Sequence, residues 1–178
     1  MPNISKFGDT QTAHTNVACA RQRAENLAIL GVERVLELCV GPSLRDLEAA
    51  YKEFGIECAG NDIDPRWVDF YPQGKWMIGD ARAIDTSGFD AVVFAPPLSK
   101  DCSGRREDSL SLDQVTPSYY DFLDMKVRVS VYVLPGRTLS VKRDREQLYR
   151  FLSHLQGKVD VVPLRKKVTK YVDIYLTK

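Results

Sequence analysis

Val35-Leu36-Glu37-Leu38-Cys39-Val40-Gly41-Pro42-Ser43 runs from an apolar segment through an acid into a loop of small residues. A helical pattern follows. Leu44, Leu47, Tyr51 and Phe54 recur at three- and four-residue steps, which places a helix with one apolar face over 43–54. Ser43 with Asp46 suits its start, and Gly55 its end. A strand-loop-helix unit of this kind presents main-chain N–H groups to a ligand at the strand's end. Gly41 lets that backbone approach closely, because no Cβ intervenes. A plain tight turn would use a glycine in the same way, so the loop alone leaves both readings open.

The rest of the chain extends this unit. Val17, Ala20, Ala24, Leu27 and Leu30 lie near helical spacing, so 12–30 is predicted helical, with Gly31 as its stop. Short apolar strands are expected at 34–38, 56–61, 76–78 and 90–94. A β-rich fifth strand covers 127–134, ending at Pro135-Gly136. Two terminal strands, 159–164 and 171–176, are joined through 165–170. A short helix is expected over 119–125 and another over 145–155, with a long polar loop at 99–116. Fully apolar short runs suit strands buried on both faces of a parallel sheet. Their alternation with helices indicates a doubly wound α/β domain. No linker or repeat divides the 178 residues, so 1–178 reads as one domain, with a helical segment over 1–31 and the α/β core over 32–178.

Hydrophobic content of 44% and charged content of 28% fit a globular protein without a membrane span. The N-terminus lacks a secretory apolar core, and the four cysteines show no C-x-x-C spacing. A reducing cytoplasm is therefore expected, with neither a disulfide framework nor a metal site. The net charge of +1 is unevenly spread. Residues 1–136 carry 14 Lys and Arg against 20 Asp and Glu, whereas 137–178 carry 11 against 4. Such a basic end suits either an anionic partner, RNA or DNA included, or a solvated face.

Three more signals stand at predicted strand ends. Gly60-Asn61-Asp62-Ile63-Asp64-Pro65 puts an acid where it could accept hydrogen bonds from both hydroxyls of a ribose. Asp62 ends the strand directly, while Asp64-Pro65 suits the next turn. In Gly79-Asp80-Ala81-Arg82, a carboxylate could accept from a purine amine while a main-chain N–H donates to the ring. Ala95-Pro96-Pro97-Leu98 follows a buried strand with two prolines, which remove two donors and leave strand-end carbonyls free to accept. The dinucleotide fingerprint G-x-G-x-x-G is not met. Its glycine positions hold Cys39, Gly41 and Leu44, and Leu44 would obstruct the close helix–strand packing, so a nicotinamide cofactor is disfavoured.

In order and spacing, these four segments resemble the class I (Rossmann-like) S-adenosylmethionine-dependent methyltransferases from about Val32 to Leu134. The resemblance implies a seven-stranded, mostly parallel sheet with helices on both faces and an antiparallel C-terminal strand. It implies S-adenosylmethionine as cofactor. Glu37, Cys39 and Gly41 would line its methionine end, Asp62 would bind its ribose, Asp80 and Ala81 would face its adenine, and Ile63 would also belong to the cofactor site. Ala95, Pro96, Pro97 and Leu98 stand where amino-methylating members have an Asn/Asp-Pro-Pro-aromatic motif. Ala95 replaces the polar acceptor and Leu98 the stacking aromatic, while Cys39 and Ser43 replace glycines usual in the first motif. The implied activity is methyl transfer, with RNA or another nucleic acid as acceptor. The alternative is a cofactor- or partner-binding protein without transfer. Candidate substrate-side residues are His14, Asp101, Tyr119 and Tyr120, each with a core or surface role as its competing reading. Arg105-Arg106 and Arg165-Lys166-Lys167 could contact phosphates.

Overall fold

The computed structural model describes residues 17–41, 44–65, 75–96, 117–135, 139–166 and 168–178. Seven strands form one sheet: β1 Arg34–Leu38, β2 Glu57–Asp62, β3 Trp76–Ile78, β4 Ala91–Phe94, β5 Val129–Pro135, β6 Lys158–Lys166 and β7 Val168–Thr177. Their order is β3-β2-β1-β4-β5-β7-β6. β1 to β5 pair in parallel, and β7 runs antiparallel to both β5 and β6. This is the doubly wound, mostly parallel sheet expected, with β7 as the antiparallel C-terminal strand.

Strand alternation divides the core into two layers, one on each face of the sheet. Val35, Val93, Val131 and Val133 pack with α1 (Val17–Ile29) and α2 (Leu44–Glu53). Leu36, Leu38, Val92, Phe94, Tyr132 and Leu134 pack with α3 (Lys142–Leu152) and the 3-10 turn Tyr119–Phe122. All four residues of β4 are buried, as an apolar central strand covered on both faces requires. No helix among the described residues is long and apolar enough to cross a membrane.

Several boundaries differ from the sequence expectation. The buried side of α1 is Cys19, Ala20, Arg23, Ala24 and Leu27, whereas Val17 is 59% exposed. The helix over 119–125 is a single 3-10 turn, closed by a capping box between Ser118 and Asp121. α3 begins at Lys142 rather than 145, because Lys142, Arg143 and Asp144 add most of a turn without adding apolar periodicity. β6 and β7 are longer than expected and leave only residue 167 between them. The polar loop 99–116 and the start of the first helix lie outside the described residues.

The chain order sets the binding edge. From β1 it steps outward to β2 and β3, then returns to β4 on the other side of β1. In open parallel sheets this reversal leaves a crevice at the carboxyl ends of the strands, where ligands bind. The loop after β1 and the segment after β4 flank it.

Candidate functional site

The carboxyl ends of the parallel strands are tied together by main-chain bonds. Val40 N donates to Asn61 O at 3.0 Å, Ala95 N to Leu38 O at 3.2 Å, and Gly79 N to Asp62 O at 3.0 Å. The segments singled out after β1, β2, β3 and β4 therefore meet along one edge.

Within the first loop, Cys39 has φ 59° and Gly41 φ 52°. Cys39 is the one non-glycine residue with positive φ among the described residues. Such a backbone turns sharply and normally favours glycine. A Cβ built on Gly41 would meet nothing within 4 Å among the described residues. Asp62 fastens this loop. Its Oδ2 accepts from Gly41 N at 2.8 Å and its Oδ1 from Asp64 N at 3.0 Å. Burial raises the Asp62 carboxyl above its ordinary value, and the N–H groups of Asp64, Gly41 and Ile63 pull it back. With three N–H groups on its four lone-pair sites, the carboxylate has room for one further donor.

Cys39 joins two of the strand-end acids. Burial, then the Asp62 and Asp80 carboxylates, push its thiol up to about 12, so it stays protonated at neutral pH. Asp80 caps the 3-10 turn Ala81–Ala83 by accepting from Arg82 N at 2.9 Å, and it also pairs with the Arg82 guanidinium. Arg82 holds the Asp80 carboxyl down at about 2. Ala81 is buried beneath it. Ile63 and Ile78 are 71% and 50% exposed, and Ile78 is the register partner of Asp62. Exposed apolar side chains near two carboxylates suit the face of a ring whose edges are polar.

Glu37 is placed differently. Its side chain lies in the layer of α1 and α2, fully buried, with Oε1 accepting from Tyr51 Oη and from Arg23 Nη1. Burial raises its carboxyl, against the Arg23 charge. Its Oε2 has no hydrogen-bond partner among the described residues. Arg23 also forks onto Asp173 of β7, at 2.6 Å and 3.0 Å. Burial disfavours the Arg23 charge, but the flanking Asp173 and Glu37 carboxylates outweigh it. Tyr175 Oη reaches the same Asp173 carboxylate at 3.4 Å.

Sequence reasoning missed Arg23, Tyr51 and Asp173, and it missed the role of Asn61. That buried side chain donates to Met77 O and Gly79 O, each at 3.0 Å, and so fixes the β3 turn that carries Asp80. Two signals were present: an arginine on the small-residue side of the first helix, and an acid inside Val172-Asp173-Ile174.

Tyr119 is not a substrate-side residue. It is core, its hydroxyl donating to Val133 O at 2.7 Å and its ring against Phe94 and Phe151. Tyr120 stacks edge-on with Phe151 and His154. Ala95 is partly exposed and Pro96 buried. Pro97, Leu98, His14, Ser43, Asp101, Arg105 and Arg106 lie outside the described residues, as do Lys167 and the side chains of Arg165 and Lys166. No group of three or more His, Cys, Asp or Glu among the described residues could hold a metal ion.

No protein-family model and no curated protein matches the chain. Solved structures do. The methyltransferase domain of bacterial CtHen1 aligns over 90% of this chain and 100% of its own, at 11% identity and TM-score 0.61. A SAM-dependent methyltransferase from Archaeoglobus fulgidus aligns over 90% and 92%, at 16% identity and TM-score 0.57. The hMettl16 catalytic domain, solved with the MAT2A 3'UTR hairpin 6, aligns over 88% and 68%, at 13% identity and TM-score 0.59. The chain has the Rossmann-like fold of class I S-adenosylmethionine-dependent methyltransferases.

Proposed function

We propose that the protein is an S-adenosylmethionine-dependent methyltransferase whose acceptor is RNA or another nucleic acid. The observation that carries this reading is the grip of Asp62, at the end of β2, on the Gly41 N–H of the left-handed loop after β1. It joins a strand-end acid to an open backbone turn at the sheet's reversal point. The residues present fit the cofactor. The Asp62 carboxylate has a lone-pair site left for a ribose hydroxyl. Ile63 and Ile78 offer an apolar surface to adenine, with Asp80 and the N–H of Ala81 at its polar edge. Cys39 and Gly41 would pass the methionine end. Glu37 would act through the backbone it anchors, since its carboxylate is taken up by Arg23 and Tyr51.

When bound, the cofactor supplies a methyl group activated by a sulfonium. The chain's own part is to hold the acceptor in line and exclude water. In this reading the carbonyls of Ala95 and Pro96 accept from the N–H of the acceptor. With alanine at 95, the side-chain acceptor of the amino-methylating pattern is absent, which favours an acceptor that needs only main-chain bonds. The nucleic-acid assignment is supported by the basic end, net +7 over 137–178. The hMettl16 catalytic domain, of similar fold, was solved with an RNA hairpin.

Ala95 also favours a second reading, a protein that binds the cofactor or a partner without transferring methyl. Calorimetry with S-adenosylmethionine, followed by transfer of labelled methyl to total RNA, DNA and cell extract, tests both. Binding with incorporation into nucleic acid is expected. Binding without incorporation into any acceptor selects the second reading. NAD binding without S-adenosylmethionine binding rejects the methyltransferase reading.

A further inference from the structure

We propose that the outward face of α3 docks single-stranded nucleic acid, a step that rests on the nucleic-acid reading above for its substrate class. Asp144, Gln147, Leu148 and Phe151 form the buried side of this helix. The exposed residues are Lys142, Arg143, Arg145, Glu146, Tyr149 and Arg150, four cations against one acid. Lys142, Arg145 and Tyr149 fall at i, i+3 and i+7, so they form one stripe along the helix. Tyr149 is 66% exposed, so its ring is open to a stacking partner beside these cations.

The placement of the cations runs against the helix's own needs. Lys142, Arg143 and Arg145 all stand in or beside the first turn, at the positive end of the helix dipole. Val141 at the N-cap provides no side-chain bond to offset them. Arg143 pairs with the buried Asp144, the acid of this first turn, at 3.5 Å. Charges kept where they weaken their own helix point to an external anion. α3 is also well placed for a substrate. It is the helix that follows the carboxyl end of β5, and β5 runs parallel to β4 and β1, so in chain order it comes after the edge of the sheet that carries the loops after β1 and β4.

The occupant follows from the chemistry. Phosphates answer the cations, and a base answers the exposed ring by stacking. An acidic peptide would answer the cations but leave Tyr149 unused. A lipid surface would call for more apolar contact than Val141 and Tyr149 provide.

Fluorescence anisotropy of the full chain with oligouridine and oligothymidine of about 20 nucleotides tests the proposal. Three phosphate contacts on a single strand should weaken binding roughly twentyfold between about 50 and 200 mM salt. The triple variant Lys142→Glu/Arg143→Glu/Arg145→Glu should lose both the binding and its salt dependence. Its thermal midpoint should be unchanged or higher, because acids suit that helix end, so unfolding cannot account for the loss. Tyr149→Ala should weaken binding about fivefold or more and leave the salt slope unchanged. S-adenosylmethionine affinity by calorimetry should be equal in all variants, which keeps a failure of docking distinct from a failure of the cofactor reading. The two oligonucleotides tell RNA from DNA. The proposal is overturned if the triple variant binds as the parent does, if Tyr149→Ala has no effect, or if the chain binds phosphatidylserine vesicles and neither oligonucleotide.

Discussion

Cys39 occupies a conformation that most side chains avoid. A left-handed backbone costs a residue with a Cβ roughly 1–2 kcal/mol, and Cys39 stands where the methyltransferase pattern has a glycine. Two residues on, Gly41 makes the same turn without that cost. Gly41→Ala isolates the backbone effect, since its new Cβ meets no neighbour among the described residues. It should lower stability by about 1 kcal/mol, read as a fall of roughly 2–4 °C in the thermal midpoint. No fall at all would show that the loop adopts another backbone. Asp62→Ala removes the acceptor that holds Gly41. It should weaken S-adenosylmethionine binding by about 1–3 kcal/mol, the cost of unpaired polar groups. Unchanged affinity in calorimetry would reject Asp62 as the ribose ligand. These two residues were legible because a strand-end acid and a turn glycine leave local marks in sequence. Arg23 and Asp173 left weaker ones, for they meet across 150 positions.

That long-range contact belongs to the scale of elements. Arg23 on α1 reaches Glu37 on β1 and Asp173 on β7, with β4 and β5 between those strands. α1 is therefore held across the sheet by charge as well as by Ala20, Ala24 and Leu27. Two carboxylates share one guanidinium, so the partners are unequal. Arg23→Met strands two buried carboxylates and should cost about 3–5 kcal/mol. Glu37→Gln leaves the Arg23–Asp173 fork intact and should cost less, about 1–2 kcal/mol. Urea denaturation of the two variants checks the order, and a larger loss for Glu37→Gln would refute this account. The elements themselves were mostly legible, because buried parallel strands read as short apolar runs. Where polar residues extended an element, as at Lys142–Asp144, periodicity gave no sign of it. The length of β6 and β7 was hidden similarly, since pairing along 165–170 depends on strand partners rather than on residue type.

At the scale of the whole molecule, the sequence carried the mostly parallel sheet with its antiparallel C-terminal strand, while the strand order is set by the pairing in the fold. The acids it gathers divide into two groups of opposite sign. Asp80, Asp85 and Asp90 are held below the ordinary carboxylate value, Asp80 at about 2 by Arg82, Asp85 by Ser87, and Asp90 by the N–H of Glu33. Their stabilisation is present above pH 3.8 and is lost as pH falls toward 2. Glu37 and Asp62 are raised, both chiefly by burial. Each binds its proton more tightly when folded, so its contribution is complete below the unfolded value, 4.5 for Glu37 and 3.8 for Asp62, and is lost as pH rises through the folded one. Stability should therefore decline on both sides of a mildly acidic optimum, for separate reasons. Glu37→Gln should flatten the upper limb, where one proton changes the slope by at most about 1.4 kcal/mol per pH unit, and should spare the acid limb. Asp80→Asn should ease the acid limb alone. Urea midpoints measured from about pH 2.5 to 7 separate the two variants. If Glu37→Gln left the slope above pH 4.5 unchanged, Glu37 would have to ionise as readily in its buried place as in water, and the raised value given it by burial between Arg23 and Tyr51 would be wrong.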